Sequence, residues 1–206
     1  MEFLAIIGDP GSGKTNMLVK YLYAEYHSGT QVVSNIRSIK FPQIYMEFDD
    51  FIEAADHDDP RLDGAYVGTD ELGVGADSYE FLSARNKGLT KFNTQRRKYQ
   101  IRWAYTVQRF SMISRRLRLL TDGFISMSDP DKNNMWHSNG RRAKHHNEVC
   151  RGVFRAEYFD RNMKLIKRRM FNGRRYWPLY DTREKISADR RVITPDMDFE
   201  VEDEDY

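Results

Sequence analysis

The stretch Gly8-Asp9-Pro10-Gly11-Ser12-Gly13-Lys14-Thr15 carries every fixed position of the phosphate-binding pattern G-x-x-x-x-G-K-[ST]. Phe3-Leu4-Ala5-Ile6-Ile7 precedes it, an apolar run that reads as a buried strand, and residues 16–26 follow it and read as a helix. This strand–loop–helix context is what the motif requires. The glycines let backbone N–H groups turn onto phosphate oxygens, where a side chain would obstruct them. Lys14 can reach the β- and γ-phosphates, and the Thr15 hydroxyl can ligate Mg²⁺. The start of the helix adds a favourable dipole. The expected ligands are ATP and Mg²⁺, with Gly8, Asp9, Pro10, Gly11, Ser12, Gly13, Lys14 and Thr15 as the nucleotide loop. The plain alternative is a glycine-rich turn that binds nothing.

Outward from the loop, strands alternate with helices. Gln31-Val32-Val33-Ser34 reads as a second strand, residues 35–50 as irregular, residues 51–56 as a short helix and residues 57–63 as a polar loop. A third strand over 64–69 ends at Asp70-Glu71. A flexible loop (73–77) and a helix (78–99) lead to a fourth strand over 101–107, which ends at Gln108. A helix over 112–120 and a fifth strand over 123–127 follow. This order predicts an α/β fold, a P-loop NTPase with a mainly parallel sheet covered by helices on both faces. In such sheets the chemistry gathers beyond the strand C-termini, where the loop, the two acids and the glutamine all fall. Residues 149–158 and 164–171 look like a β-hairpin around Asp160-Arg161-Asn162, and Trp177-Pro178-Leu179-Tyr180 is expected to pack it back on the core. The expected division is an ATPase core over 1–128, a basic β-rich appendage over 129–195 packed on that core, and a disordered acidic segment over 196–206.

Asp70-Glu71 at a strand end supplies the second half of an ATPase site. Asp70 would hold Mg²⁺, directly or through water. Glu71 can orient or deprotonate a water at the γ-phosphate. A Gln108 amide can bond both the γ-phosphate and that water; the simpler reading is a polar cap on a strand. Arg96 and Arg97, before the fourth strand, could stabilise charge on a transferring phosphoryl group. From a sheet margin they would reach a neighbouring subunit's nucleotide more naturally than their own. Arg115, Arg116 and Arg118 are the reserve, and phosphate contact with nucleic acid or plain solvation competes for all of them. His145-His146 lack the companions of a metal site, and Cys150 has no metal-ligand spacing around it. No metal beyond nucleotide-bound Mg²⁺ is expected.

The chain has 206 residues and a net charge of only +2, unevenly placed. Residues 85–118 hold eleven Lys or Arg and no acid, and residues 141–175 hold twelve against three acids. Two such blocks point to a polyanion, with DNA the expected partner. Residues 196–206 hold seven acids. The single cysteine argues against a disulfide framework and fits a reducing cytoplasm. No run approaches a membrane span, and the first strand starts too early for a signal peptide.

This arrangement resembles the FtsK–HerA type of P-loop ATPase, whose members pump DNA. Within that type it looks most like small viral ATPases: genome-packaging enzymes, and the zonular-occludens-toxin-like assembly ATPases of filamentous phages. The resemblance rests on residues 8–15, on Val32-Val33-Ser34 with Asn35 after it, and on Asp70-Glu71. It continues through Arg96-Arg97-Lys98, Thr106-Val107-Gln108 and residues 113–118, covering roughly residues 1–127. It implies that the strand ending in Gln108 lies between the loop strand and the Asp70 strand. It also implies a ring homo-oligomer, a hexamer, with an arginine supplied in trans. The filamentous-phage proteins usually carry a transmembrane helix after the core, and its lack here favours a motor free of the membrane. The expected function is ATP-driven translocation of double-stranded DNA, most naturally into a viral capsid. The rivals are an assembly or secretion ATPase acting on protein, a small-molecule kinase and a nucleotide-dependent switch.

Overall fold

A computed structural model of the chain describes residues 3–72, 92, 99–113, 115–130 and 152–183. The expectations for the loop over 73–77 and for most of the 78–99 helix, including Arg96 and Arg97, lie outside the described residues. So do those for His145, His146, Cys150 and residues 196–206.

Among the described residues, eight strands form one sheet: β1 (Phe3–Ile7), β2 (Val32–Ser34), β3 (Ile44–Tyr45), β4 (Tyr66–Thr69), β5 (Arg102–Val107), β6 (Gly123–Ser128), β7 (Val153–Asp160) and β8 (Leu165–Asn172). Their spatial order is β3-β2-β4-β5-β1-β6-β7-β8. The first six run parallel, as the alternation of strands and helices predicts. β5 lies between β1 and β4, as the resemblance implies. β7 then pairs antiparallel with β6, and β8 antiparallel with β7, so the hairpin continues the same sheet.

Helix α1 (Lys14–His27) lies on one face and buries Met17, Leu18, Val19 and Leu22 against Leu4, Ile6 and Ile125. Its end is tied by Arg102, whose guanidinium makes two bonds to Glu25, at 2.8 and 2.6 Å. The opposite face is covered by α2 (Phe48–Asp56) and α3 (Arg115–Leu120). Trp103 is fully buried there, stacked on Phe3 at 4.7 Å and 5.5 Å from the rings of Phe51 and Phe92. Its indole N–H donates to Thr69 Oγ1 at 3.0 Å, so this large aromatic is buried without an orphaned donor.

The sequence reading differs from the structure in two places. Residues 35–50, expected to be irregular, contain β3 and the start of α2. Gln43 fastens this segment by accepting from Ser34 Oγ at 2.7 Å and donating to the Ile36 carbonyl at 2.6 Å. A two-residue strand is too short to leave a periodic signal. The expected helix over 112–120 is split into a 3-10 turn, Phe110–Met112, and α3. Between them Ile113 adopts an extended backbone and buries its side chain completely.

Candidate nucleotide site

Three adjacent strands deliver the site. In register, Ile7 of β1 pairs with Val107 of β5, and Thr69 of β4 with Tyr105 of β5. Gly8, Asp70 and Gln108 therefore leave the sheet side by side at one edge. The loop wraps back through a bond from Ser12 N–H to the Asp9 carbonyl at 3.1 Å. Gly13 caps α1 with φ 87°, a left-handed backbone, and no side chain caps the helix. A Cβ on Gly8 would lie 2.3 Å from the Met127 carbonyl oxygen, so the loop approaches β6 more closely than any other residue allows. Lys14 Nζ donates to the Asp9 carbonyl at 3.1 Å.

Asp70 is held from four directions. Its carboxylate accepts from Thr15 Oγ1 at 2.9 Å and from Thr106 Oγ1 at 2.5 Å. Its backbone N–H donates to Asn35 Oδ1 at 2.8 Å, and its carbonyl accepts from Asn35 Nδ2 at 3.0 Å. Burial pushes the Asp70 carboxyl above the ordinary carboxylate range, opposed by the hydroxyl bonds of Thr106 and Thr15. Glu71 has φ 52°, uncommon for a residue with a Cβ, and its N–H is anchored on Thr106 Oγ1 at 2.8 Å. Thr106 thus sets both acids. Gln108 is exposed just beyond β5.

These groups open onto one cavity of about 720 Å³, lined by Lys14, Thr15, Asp70, Glu71 and Gln108. Its far wall comes from the C-terminal part of the described chain. Phe154 of β7, and Trp177, Tyr180 and Arg183 beyond β8, complete it. A 3-10 helix, Gly173–Leu179, carries the chain from β8 to this wall. Lys40 N–H to the Leu179 carbonyl, at 2.9 Å, and Asp181 N–H to Ser38 Oγ, at 2.9 Å, hold it in place. Burial, and then the charge of Asp70, push the Tyr180 hydroxyl up, so Tyr180 belongs to the electrostatics of the site.

The donor set fits a magnesium nucleotide. Thr15 and Asp70 present a hydroxyl and a buried carboxylate to the same point, the oxygen chemistry that Mg²⁺ prefers. Ser12 Oγ and Asn16 Oδ1, in the loop and the first turn of α1, are buried without a hydrogen-bond partner. Such orphans are rare in folded proteins, and Asn16 lines the cavity, where a polar ligand could partner it.

The same sheet recurs among solved proteins. The N-terminal domain of zonular occludens toxin from Neisseria meningitidis matches 88% of this chain and 100% of its own, with a TM-score of 0.63 and 17% identity. The genome packaging NTPase B204 of Sulfolobus turreted icosahedral virus 2, solved in complex with AMPPCP, matches 82% of this chain and 96% of its own, with a TM-score of 0.54 and 11% identity. ATPases 2 and 3 of EssC from Geobacillus thermodenitrificans match 90% of this chain and 41% of theirs, with a TM-score of 0.52 and 13% identity. This is a P-loop ATPase fold. No protein-family model matches the chain, and no curated protein matches it in sequence.

Within that fold, the structure brings Lys14, Thr15, Asp70, Glu71 and Gln108 to one cavity. Arg115, Arg116 and Arg118 do not line it; Arg118 sits over the Phe110 ring, 6.0 Å from its centroid. Sequence reasoning named Asn35 and Thr106 only among the residues that carry the resemblance and Tyr180 only as packing the hairpin on the core, and it gave no role to Phe154 or Arg183. A polar Thr106 within the buried run from Trp103 to Val107 was the available signal. Phe154 and Tyr180 reach the cavity only through the tertiary fold.

Proposed function

We propose that this chain hydrolyses ATP and uses the energy to move double-stranded DNA, as a genome-packaging motor does. The observation that carries the reading is the convergence of Lys14, Thr15, Asp70, Glu71 and Gln108 on one cavity at the end of β1, β4 and β5. The loop N–H groups and Lys14 would hold the β- and γ-phosphates of ATP, with the free end of α1 adding its dipole. Mg²⁺, held by Thr15 and Asp70, would supply charge neutralisation at the phosphates. Glu71 takes the proton of the attacking water, and Gln108 orients that water against the γ-phosphate. Arg96 or Arg97 of a neighbouring subunit in a hexameric ring stabilises the charge that develops on the phosphoryl oxygens.

The DNA part rests on charge. The basic blocks over 85–118 and 141–175 suit a backbone-tracking channel. Among the described residues, no helix is long and apolar enough to cross a membrane. The test is ATP turnover and duplex binding across a salt series. Duplex of arbitrary sequence should raise turnover, and affinity should fall linearly with log salt as condensed counterions are displaced. A flat salt response, or turnover indifferent to DNA, would remove the DNA substrate and favour a protein-moving ATPase on the same site.

A further inference from the structure

The hairpin of β7 and β8 treats its cations differently on its two faces. Side chains alternate across a strand. On one face Arg168 stands opposite Glu157 in register, and the two form an ion pair at 2.8 Å. The other face packs against α1 through Phe154, Ala156 and Phe171. There Lys167 stands opposite Tyr158, and Arg169 opposite the fully buried Ala156. Lys167 Nζ lies over the Tyr158 ring, 4.5 Å from its centroid, a contact that steadies the side chain and leaves its charge in place. Lys20 of α1 joins them, 5.6 Å from the Phe171 centroid and 5.8 Å from that of Tyr21. The side chains of Tyr21 and Tyr158 hydrogen-bond to each other, which ties α1 to the hairpin at this place. Burial, and then the charges of Lys167 and Arg169, hold the Lys20 pKa down, so the three cations feel one another. Among the described residues, none of the three forms an ion pair with a carboxylate.

Like charges held together repel, and an anion that meets all of them relieves the repulsion. Lys167 and Arg169 are exposed, alternate residues about 6.8 Å apart along the strand, and Lys20 is half-buried beside them. None of the three lines the nucleotide cavity. An open row of cations does not enclose a small anion; it suits a polymer that repeats its charge, as a nucleic acid does. Resting on the reading of this chain as a mover of duplex DNA, we propose that Lys20, Lys167 and Arg169 form a contact for the phosphate backbone of that duplex. Contacts of this kind position a duplex without reading its sequence, which suits a motor that must accept any sequence. The contact is also close to the phosphate loop. Two residues along β8 from Arg169, Phe171 packs on Phe154, with ring centroids 6.3 Å apart, and Phe154 packs on the turn at Gly13. Lys20 itself lies on α1, the helix that the phosphate loop starts.

Duplex affinity across a salt series, measured on variants of the full chain, tests the contact. In the wild type, log affinity should fall linearly with log salt. Lys167→Gln with Arg169→Gln alters only exposed side chains. It should make that slope shallower by about 2, about 1 for each lost phosphate contact, and weaken binding roughly tenfold or more at about 0.1 M salt. Adding Lys20→Gln should take away about 1 more. Arg168→Gln, on the opposite face of the same strand, should keep the wild-type slope. ATP turnover without DNA should stay at the wild-type rate in the Lys167→Gln, Arg169→Gln variant, which reports an intact fold and nucleotide site. Wild-type affinity and slope in that variant would overturn the contact and leave the DNA reading to the other basic residues. Weaker binding with an unchanged slope would make these side chains supports of the hairpin, and would overturn it too. So would an equal loss of slope in Arg168→Gln, which would mark a general effect of net charge. A wild-type chain that binds no duplex at low salt would remove the DNA reading itself, and the contact with it.

Discussion

A carboxylate as enclosed as Asp70 is costly to keep charged. The unfolded chain holds this group in water, whereas burial raises its folded pKa. Below the ordinary carboxylate range both states carry the proton and nothing is lost. Stability falls as pH rises through the raised folded value. Asp70→Asn removes that loss. With metal chelated, this variant should melt above the wild type at pH 8, and the gap should narrow toward pH 4. It should also lose the thermal stabilisation that ATP with Mg²⁺ gives the wild type. A melting temperature below that of the wild type at pH 8 would contradict the reading of Asp70 as a buried charge whose desolvation outweighs its hydrogen bonds. The Asp-Glu pair was legible because acids at a strand end beyond a phosphate loop have a chemical reason to be there. Its fastening was not, because Asn35 and Thr106 each lie thirty-five or more residues from the groups they hold.

The phosphate loop depends on an element distant in sequence. A Cβ on Gly13 would lie 2.5 Å from the Phe154 ring, so β7 packs directly on the turn that starts α1. Phe154 is 7% exposed, and Phe154→Ala should cost about 3–5 kcal/mol of stability. It should weaken nucleotide binding as well, read by titration with an ATP analogue. Lost stability with unchanged affinity would separate the hairpin from the loop. The core strands were legible because β1, β2, β4, β5 and β6 are short apolar runs bounded by polar turns. The hairpin was legible as a hairpin, since Asp160 turns the chain by accepting from the Asn162 and Lys164 N–H groups, at 2.9 and 2.8 Å. Its place beside the nucleotide cavity was not, because no local pattern says which edge of a sheet a hairpin joins. The break at Ile113 was hidden for a related reason: core burial of one side chain outweighed the helical tendency of its neighbours.

At the scale of the whole molecule, the proposed reading gives the cavity a base in Glu71, a water-orienting amide in Gln108 and a metal-binding pair in Thr15 and Asp70, while its trans arginine comes from another subunit. Turnover per subunit should therefore rise with protein concentration as rings form. Arg96→Ala or Arg97→Ala should still assemble and bind ATP while losing roughly 10³–10⁵ in rate. Constant specific activity at concentrations where the protein is monomeric would exclude a trans arginine. Both the ring and the DNA reading presuppose that this cavity hydrolyses ATP with Glu71 as the base. The most direct measurement is single-turnover hydrolysis of bound ATP by wild type and by Glu71→Gln, with binding followed in parallel. Glu71→Gln should bind ATP as the wild type does and hydrolyse it slower by a factor on the order of 10² or more. Hydrolysis at the wild-type rate by Glu71→Gln would contradict the site.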